Sequence, residues 1–169
     1  AKWDKATYTI TFNSNGGSEI AAITQEFDTK LEKPTDPTRN GYTFIGWYNG
    51  DTKVTKGTWN KVTNLELKAK WQVNTYNITY ELNGGNATNP TTYTVEDEFT
   101  LNNPTKVGYD FTGWTGTGLD DKTTSVTIAK GSLGDREYTA TWTPTVYDIV
   151  YDLDGGVLVD PNPDTYTIE

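Results

Sequence analysis

Apolar positions along this chain recur at every second residue. Tyr8, Ile10 and Phe12 alternate with Thr9 and Thr11, and the same rhythm returns as Tyr76, Ile78, Tyr80, Leu82 and as Tyr147, Ile149, Tyr151, Leu153. A period of two, rich in Thr and aromatic residues, predicts half-buried β-strands. A second kind of strand sets Leu65, Leu67, Ala69 and Trp71 on one face and Glu66, Lys68 and Lys70 on the other. Its counterpart sets Tyr138, Ala140 and Trp142 against Glu137, Thr139 and Thr141. Gly-Gly pairs at 16–17, 84–85 and 155–156 close the strands of the first kind, and they predict tight turns with φ > 0. No segment keeps a helical period. One helical turn is expected where Asp36 caps, Pro37 takes the first helical position and Asn40-Gly41 ends it; Asn103, Pro104 and Gly108 repeat the logic.

The strands belong to a tandem repeat, which bounds every later inference. A Trp, four residues and a Tyr occur as Trp3/Tyr8, Trp71/Tyr76 and Trp142/Tyr147, and "NGYTFIGWY" from Asn40 returns as "VGYDFTGWT" from Val107. The expected organisation is a tail of a preceding repeat (1–7), unit one (8–71), a linker (72–75), unit two (76–142), a linker (143–146) and the first two strands of a third unit (147–169). Units this small bury only about 60% of their unfolded surface, so neighbours should contribute. A lone two-stranded piece is marginal in water. The face Tyr147, Ile149, Tyr151, Leu153 is therefore expected to be covered, by the end of unit two or by a swap-like contact of residues 147–169 with a neighbouring molecule.

The succession Y-x-I-x-F, N-G-G, P-T-x-x-G-Y-x-F-x-G-W and A-K-W resembles the Listeria–Bacteroides repeat, the B-repeat type of internalin-like bacterial surface proteins. The pattern runs through Tyr8–Trp71, Tyr76–Trp142 and the start of a copy from Tyr147. Unit two departs in reading Ala140-Thr141-Trp142 and in a longer stretch, "TGTGLDDKTTS". The resemblance implies a mostly β protein of small β-grasp-like modules, each of about four strands with at most a short helix or helical turn, arranged as an elongated array. It implies display on the bacterial cell surface or secretion, a stalk or spacer role, and adjacent repeats as the first partners. A host glycan or protein is the alternative partner. The resemblance brings no catalytic residues.

Composition narrows the chemistry. The chain has no His and no Cys, which removes the commonest general base and metal ligand and the strongest neutral-pH nucleophile. Its carboxylates do not recur between copies, so a non-enzymatic protein without cofactor is expected. Asp152/Asp154 and Asp120/Asp121 flank turns, but neither stretch has the oxygen-rich loop that calcium needs, and no metal site is assigned. Of the net charge of −9, residues 1–71 hold +2, residues 72–142 hold −5 and residues 143–169 hold −6. This balance argues against nucleic acid, and no stretch is long and apolar enough for membrane insertion. The only basic face lies in unit one. The candidate ligand contacts are therefore Lys53, Lys56 and Lys61, with Trp59, which aligns with Lys130 of unit two. Trp71 and Trp142 are expected as buried core anchors. Strict alternation puts Trp47 and Trp114 on the outward face, but Gly46 and Gly113 point to bulges that turn them inward, and this is the favoured reading; an exposed aromatic platform is the alternative.

Overall fold

Alternation becomes strand wherever a partner strand is within reach. The computed structural model describes residues 3–55, 57–59 and 63–169, with Thr58 and Trp59 as backbone alone. It divides into two units, Ala1–Thr75 and Tyr76–Glu169, and contains no helix among the described residues. The strands of unit one are β1 (Thr7–Asn13), β2 (Ile23–Glu26), β3 (Thr29–Lys30), β4 (Tyr42–Asn49), β5 (Thr52–Lys53), β6 (Thr58–Trp59) and β7 (Leu65–Val73). Unit two contains β8 (Tyr76–Glu81), β9 (Thr92–Tyr93), β10 (Phe99–Thr100), β11 (Tyr109–Gly116), β12 (Thr127–Ile128) and β13 (Arg136–Pro144), followed by β14 (Tyr147–Asp148) and β15 (Thr165–Tyr166).

Both units use one plan. The main sheet of unit one has the order β2-β1-β7-β4-β5, and that of unit two β11-β13-β8-β9. The first long strand and the last run parallel at the centre: Ile10 stands opposite Leu65 and Asn13 opposite Lys68, as Ile78 stands opposite Arg136 and Glu81 opposite Thr139. The remaining pairs of these sheets are antiparallel. This mixed sheet suits a β-grasp-like module, but the expected helical turn at Pro37 and Pro104 is absent. Its backbone groups are taken elsewhere. Ser18 N–H donates to Thr38 O at 2.8 Å, Thr38 N–H donates to Ser18 Oγ at 3.0 Å, and Asn86 and Thr105 exchange both backbone bonds. Once paired, the segment is extended.

The cores follow the alternation, except where the expected bulges interrupt it. Ile10, Leu67 and Ala69 are buried in unit one, and Ile78, Tyr138 and Ala140 in unit two. The β4–β7 register shifts between Phe44 and Gly46, and the β11–β13 register shifts between Phe111 and Gly113. Each bulge has a glycine at positive φ, +147° at Gly46 and +138° at Gly113, which admits the extra residue. The shift turns Trp47 and Trp114 inward, to 4% and 0% exposure. They are core residues rather than a platform. Phe44 and Phe111 meet them edge-on at 5.4 and 5.5 Å between centroids, a favoured aromatic geometry.

Trp71 and Trp142 are half-buried rather than core anchors. Each lies across the turn that ends the first strand of its own unit. Trp71 Nε1–H donates to Ser14 O at 3.0 Å and Trp142 Nε1–H to Leu82 O at 3.1 Å. The two glycines of each turn thus do different work. The left-handed positions are Asn15-Gly16 and Asn83-Gly84. Gly17 and Gly85 instead leave room for the indole: a Cβ on either would collide with the ring, whose Cη2 would lie at 3.0 Å.

The third copy keeps the turn and loses most of the strand. Asp154 and Gly155 are left-handed, and Gly156 N–H donates to Leu153 O at 2.7 Å. Yet β14 is two residues long, because no parallel strand pairs with residues 149–153 among the described residues. Within the chain this face is only partly covered: Tyr147, Tyr151 and Leu153 are about 40% exposed. The hairpin is tied to unit two elsewhere. Ile168 packs on Gly108, its Cδ1 2.8 Å from where a Cβ would stand, and Tyr109 Oη–H donates to Glu169 Oε1 at 3.0 Å.

The two kinds of Gly-Gly turn predict opposite responses to one methyl group. Gly85→Ala should destabilise unit two by about 1–3 kcal/mol, the usual cost of overpacking. Gly156→Ala, with no ring above it, should leave thermal unfolding unchanged. Circular dichroism melts of the two variants check this.

Candidate functional site

Hydrogen bonds fix which residues of the two units correspond. Leu31 N–H donates to Gly57 O as Leu101 N–H does to Val126 O, and Val54 N–H donates to Trp47 O as Thr123 N–H does to Trp114 O. Gly57 therefore takes the place of Val126. The β3–β6 register, with Thr29 opposite Trp59, matches Phe99 opposite Ile128. Trp59 thus occupies the backbone position of Ile128, a fully buried residue, and not that of Lys130. Aligning by residue type had misplaced the gap.

Unit one contains a cavity of about 230 Å³. Phe12, Leu31, Phe44, Trp47 and Val54 give it apolar lining, and Glu32, Lys33, Asp36 and Lys53 bring charge. The aligned positions of the two units differ: Val126 packs in the core of unit two, while a Cβ on Gly57 would meet nothing within 4 Å. The loop from Leu31 to Asp36 is also three residues longer than that from Leu101 to Asn103. The longer loop takes Asp36 away from the tryptophan. In unit two Trp114 Nε1–H donates to Asn103 Oδ1 at 3.2 Å. In unit one Asp36 pairs with Lys33 at 2.8 Å, and the buried Trp47 Nε1–H has no acceptor among the described residues. Such an orphaned donor costs about 1–3 kcal/mol, whereas the exposed Lys33–Asp36 pair contributes at most about 1 kcal/mol.

The residues proposed from sequence scatter with respect to this cavity. Lys53 lines it from β5, with its Cε 2.7 Å from where a Cβ on Gly46 would lie. Lys56 and Lys61 lie outside the described residues, as does the side chain of Trp59. Sequence reasoning named Asp36 only as a helix cap and Trp47 only as a core or platform residue, and did not bring the two together at one cavity. The signals were the three-residue insertion and the exchange of Asn103 for Asp36. Phe12 is replaced by Tyr80 in unit two, where the hydroxyl donates to Pro90 O at 2.8 Å. Burial, with a smaller contribution from Tyr138, pushes the Tyr80 hydroxyl up from 10.0 to about 12. Among the described residues no cluster of three or more Asp or Glu could hold a metal ion.

With this geometry in hand, similarity to known proteins decides the family. The model of the Listeria-Bacteroides repeat domain matches residues 8–70 and 76–133. The chain belongs to the Listeria-Bacteroides repeat family. A protein of Evansella cellulosilytica, provisionally named a membrane protein, is 31% identical over 92% of this chain and 24% of its own length. Internalin H of Listeria monocytogenes is 35% identical over 63% of this chain and 20% of its own length. The chain thus spans about a quarter or less of these curated relatives. No solved structure matches it. The matched repeats are of the kind found in bacterial surface proteins.

The indoles give a direct test of how the copies diverge. Trp114→Phe should cost about 0.5–1.5 kcal/mol more than Trp47→Phe, because only Trp114 loses a hydrogen bond; denaturant unfolding of each variant measures the difference. Alkali gives a second test. The folded-state pKa of Tyr80 is raised, so its contribution to stability is full below pH 10.0 and disappears as pH rises through about 12. Tyr80→Phe should flatten the loss of unit-two stability over that window, followed by alkaline titration of the near-ultraviolet signal.

Proposed function

We propose that this chain is a non-enzymatic spacer segment of a bacterial cell-surface or secreted protein, built to hold other parts of that protein in series. The observation that carries this is how the chain leaves each unit. Asn74 N–H donates to Gly41 O at 2.9 Å, and Thr43 Oγ1 donates to Asn74 Oδ1 at 2.7 Å. At the end of unit two Thr145 N–H donates to Gly108 O at 2.9 Å, and Thr145 Oγ1 donates to Asp110 Oδ1 at 3.0 Å. The residue after each last strand is thus pinned to the Gly-Tyr turn of the unit it leaves. Only Asn74 and Thr75 separate β7 from β8. Pinning the exit favours repetition, and it uses positions common to both copies rather than the surfaces on which they differ. The surface and secreted setting is supported by the family and by the internalin relative.

A second reading is an adhesin-like module that binds a host glycan or protein through unit one. The unit-one cavity, with Lys53 among its lining residues, favours it. Nitrogen-15 relaxation and a binding screen separate the two. For the spacer, the amides of Asn74 and Thr75 should show order parameters of about 0.85, as in the strands; values below about 0.6 would mark a loose tether and defeat the reading. Saturable binding to a glycan or host matrix protein, lost in Lys53→Ala, would transfer the conclusion to the second reading.

A further inference from the structure

The indole of Trp47 lacks the partner that its counterpart has. Trp47 is 4% exposed and lines the cavity of unit one, and its Nε1–H meets no acceptor among the described residues. Buried polar groups are almost always hydrogen-bonded, so an exception needs a physical account. Unit two shows what belongs on this N–H. There the acceptor is a side-chain carbonyl oxygen, Asn103 Oδ1, 3.2 Å from Trp114 Nε1. In unit one the corresponding carboxylate, Asp36, is held by Lys33 at 2.8 Å, and Asp36 and the indole both line the cavity.

The space beside the indole has the size and chemistry for a small molecule. Its volume is about 230 Å³, and an apolar cavity of about 150 Å³ already holds benzene. A ring with a short side chain therefore fits. Phe12 and Phe44 pack on Trp47 at 4.8 and 5.4 Å between centroids, so the floor is aromatic. A sugar matches poorly, because most of its hydroxyls would face apolar side chains. Water matches poorly too. A buried water needs about two to four polar partners, and the side chains packed around Trp47 are apolar. Charge stands at the solvent-facing edge, where Lys53 lines the cavity. The ion pairs among the described residues are Lys33–Asp36 and Lys70–Asp51, which leaves Lys53 without one. Glu32, also in the lining, opposes it.

We propose that the unit-one cavity binds a small aromatic carboxylate. The ring lies against Phe12, Phe44 and Trp47. One carboxylate oxygen accepts from Trp47 Nε1–H, in the role that the Asn103 oxygen plays in unit two, and Lys53 supplies the countercharge. The proposal rests on neither reading of the whole chain. A spacer holds such a molecule without losing its role, and a host contact made by Lys53 at the surface needs no occupied cavity.

The test titrates the whole chain with 3-phenylpropionate, followed by calorimetry and by the indole resonances of a nitrogen-15 spectrum. The Trp47 signal is assigned by its loss in Trp47→Phe. Saturable one-to-one binding that shifts the Trp47 indole and leaves that of Trp114 in place is expected. Trp47→Phe and Lys53→Ala should each weaken binding by about tenfold or more, since each removes a contact to an ionised group. The amine of the same ring and chain length, 3-phenylpropylamine, should bind as weakly, and Glu32→Gln should tighten the carboxylate. Replacing residues 32–36 by the two asparagines that follow Leu101 should abolish binding while unit one still melts cooperatively. Absence of saturable binding to the unaltered chain overturns the proposal. So does equal binding of the amine, or of 3-phenylpropionate by Trp47→Phe. Binding seen only in a Trp59→Ala chain also overturns it, because the chain's own side chain would then be the occupant. A host glycan or protein that binds through Lys53 while 3-phenylpropionate does not would overturn this proposal and leave the adhesin reading standing.

Discussion

The parallel pairing of the first long strand with the last is the interaction on which each module depends. It brings together segments more than fifty residues apart, Ile10 with Leu65 and Ile78 with Arg136, so its loop-closure cost must be offset by the burial it creates. Ile10, Leu67 and Ala69, or Ile78, Tyr138 and Ala140, become inaccessible when the two strands meet. The third copy shows the consequence of leaving it out. The same alternating residues, Tyr147 to Leu153, then give a strand of two residues and an uncovered face.

The aromatic residues are distributed around this pairing. A bulge with a positive-φ glycine delivers Trp47 or Trp114 into the core from the neighbouring strand. Trp71 or Trp142 closes the other end by reaching over the Gly-Gly turn and bonding to its backbone. One tryptophan therefore fills the interior, and the other locks the first strand to the last at the rim. The Trp-x4-Tyr phrase joins the lock of one unit to the opening strand of the next copy, which is why it recurs at every boundary.

The copies also diverge beside the core. In unit one a loop three residues longer separates Asp36 from the indole, and a cavity lies beside Trp47. Unit two closes the same region with Val126 and with the Asn103–Trp114 bond. The parallel pairing itself tolerates substitution, since its register is kept although Leu65, Leu67 and Lys68 give way to Arg136, Tyr138 and Thr139.

The sequence alone determined the strands and the turns, because a period of two and a Gly-Gly pair express local backbone preferences. It also determined the family resemblance and an aromatic core. Only the tertiary structure decided that Pro37 and Pro104 sit in extended segments, since the partners of their backbone neighbours, Ser18 and Asn86, come from distant parts of the chain. It alone showed that Trp71 and Trp142 stand at the rim, and that Trp59 takes the place of Ile128 rather than Lys130. These points depend on strand order and register, which alternation does not encode: either face of a strand looks the same from sequence until a partner and a bulge choose between them. The candidate site was the least legible part. Its residues Asp36 and Trp47 lie on different segments, and what sets them apart from Asn103 and Trp114 is a hydrogen bond that the longer loop does not make.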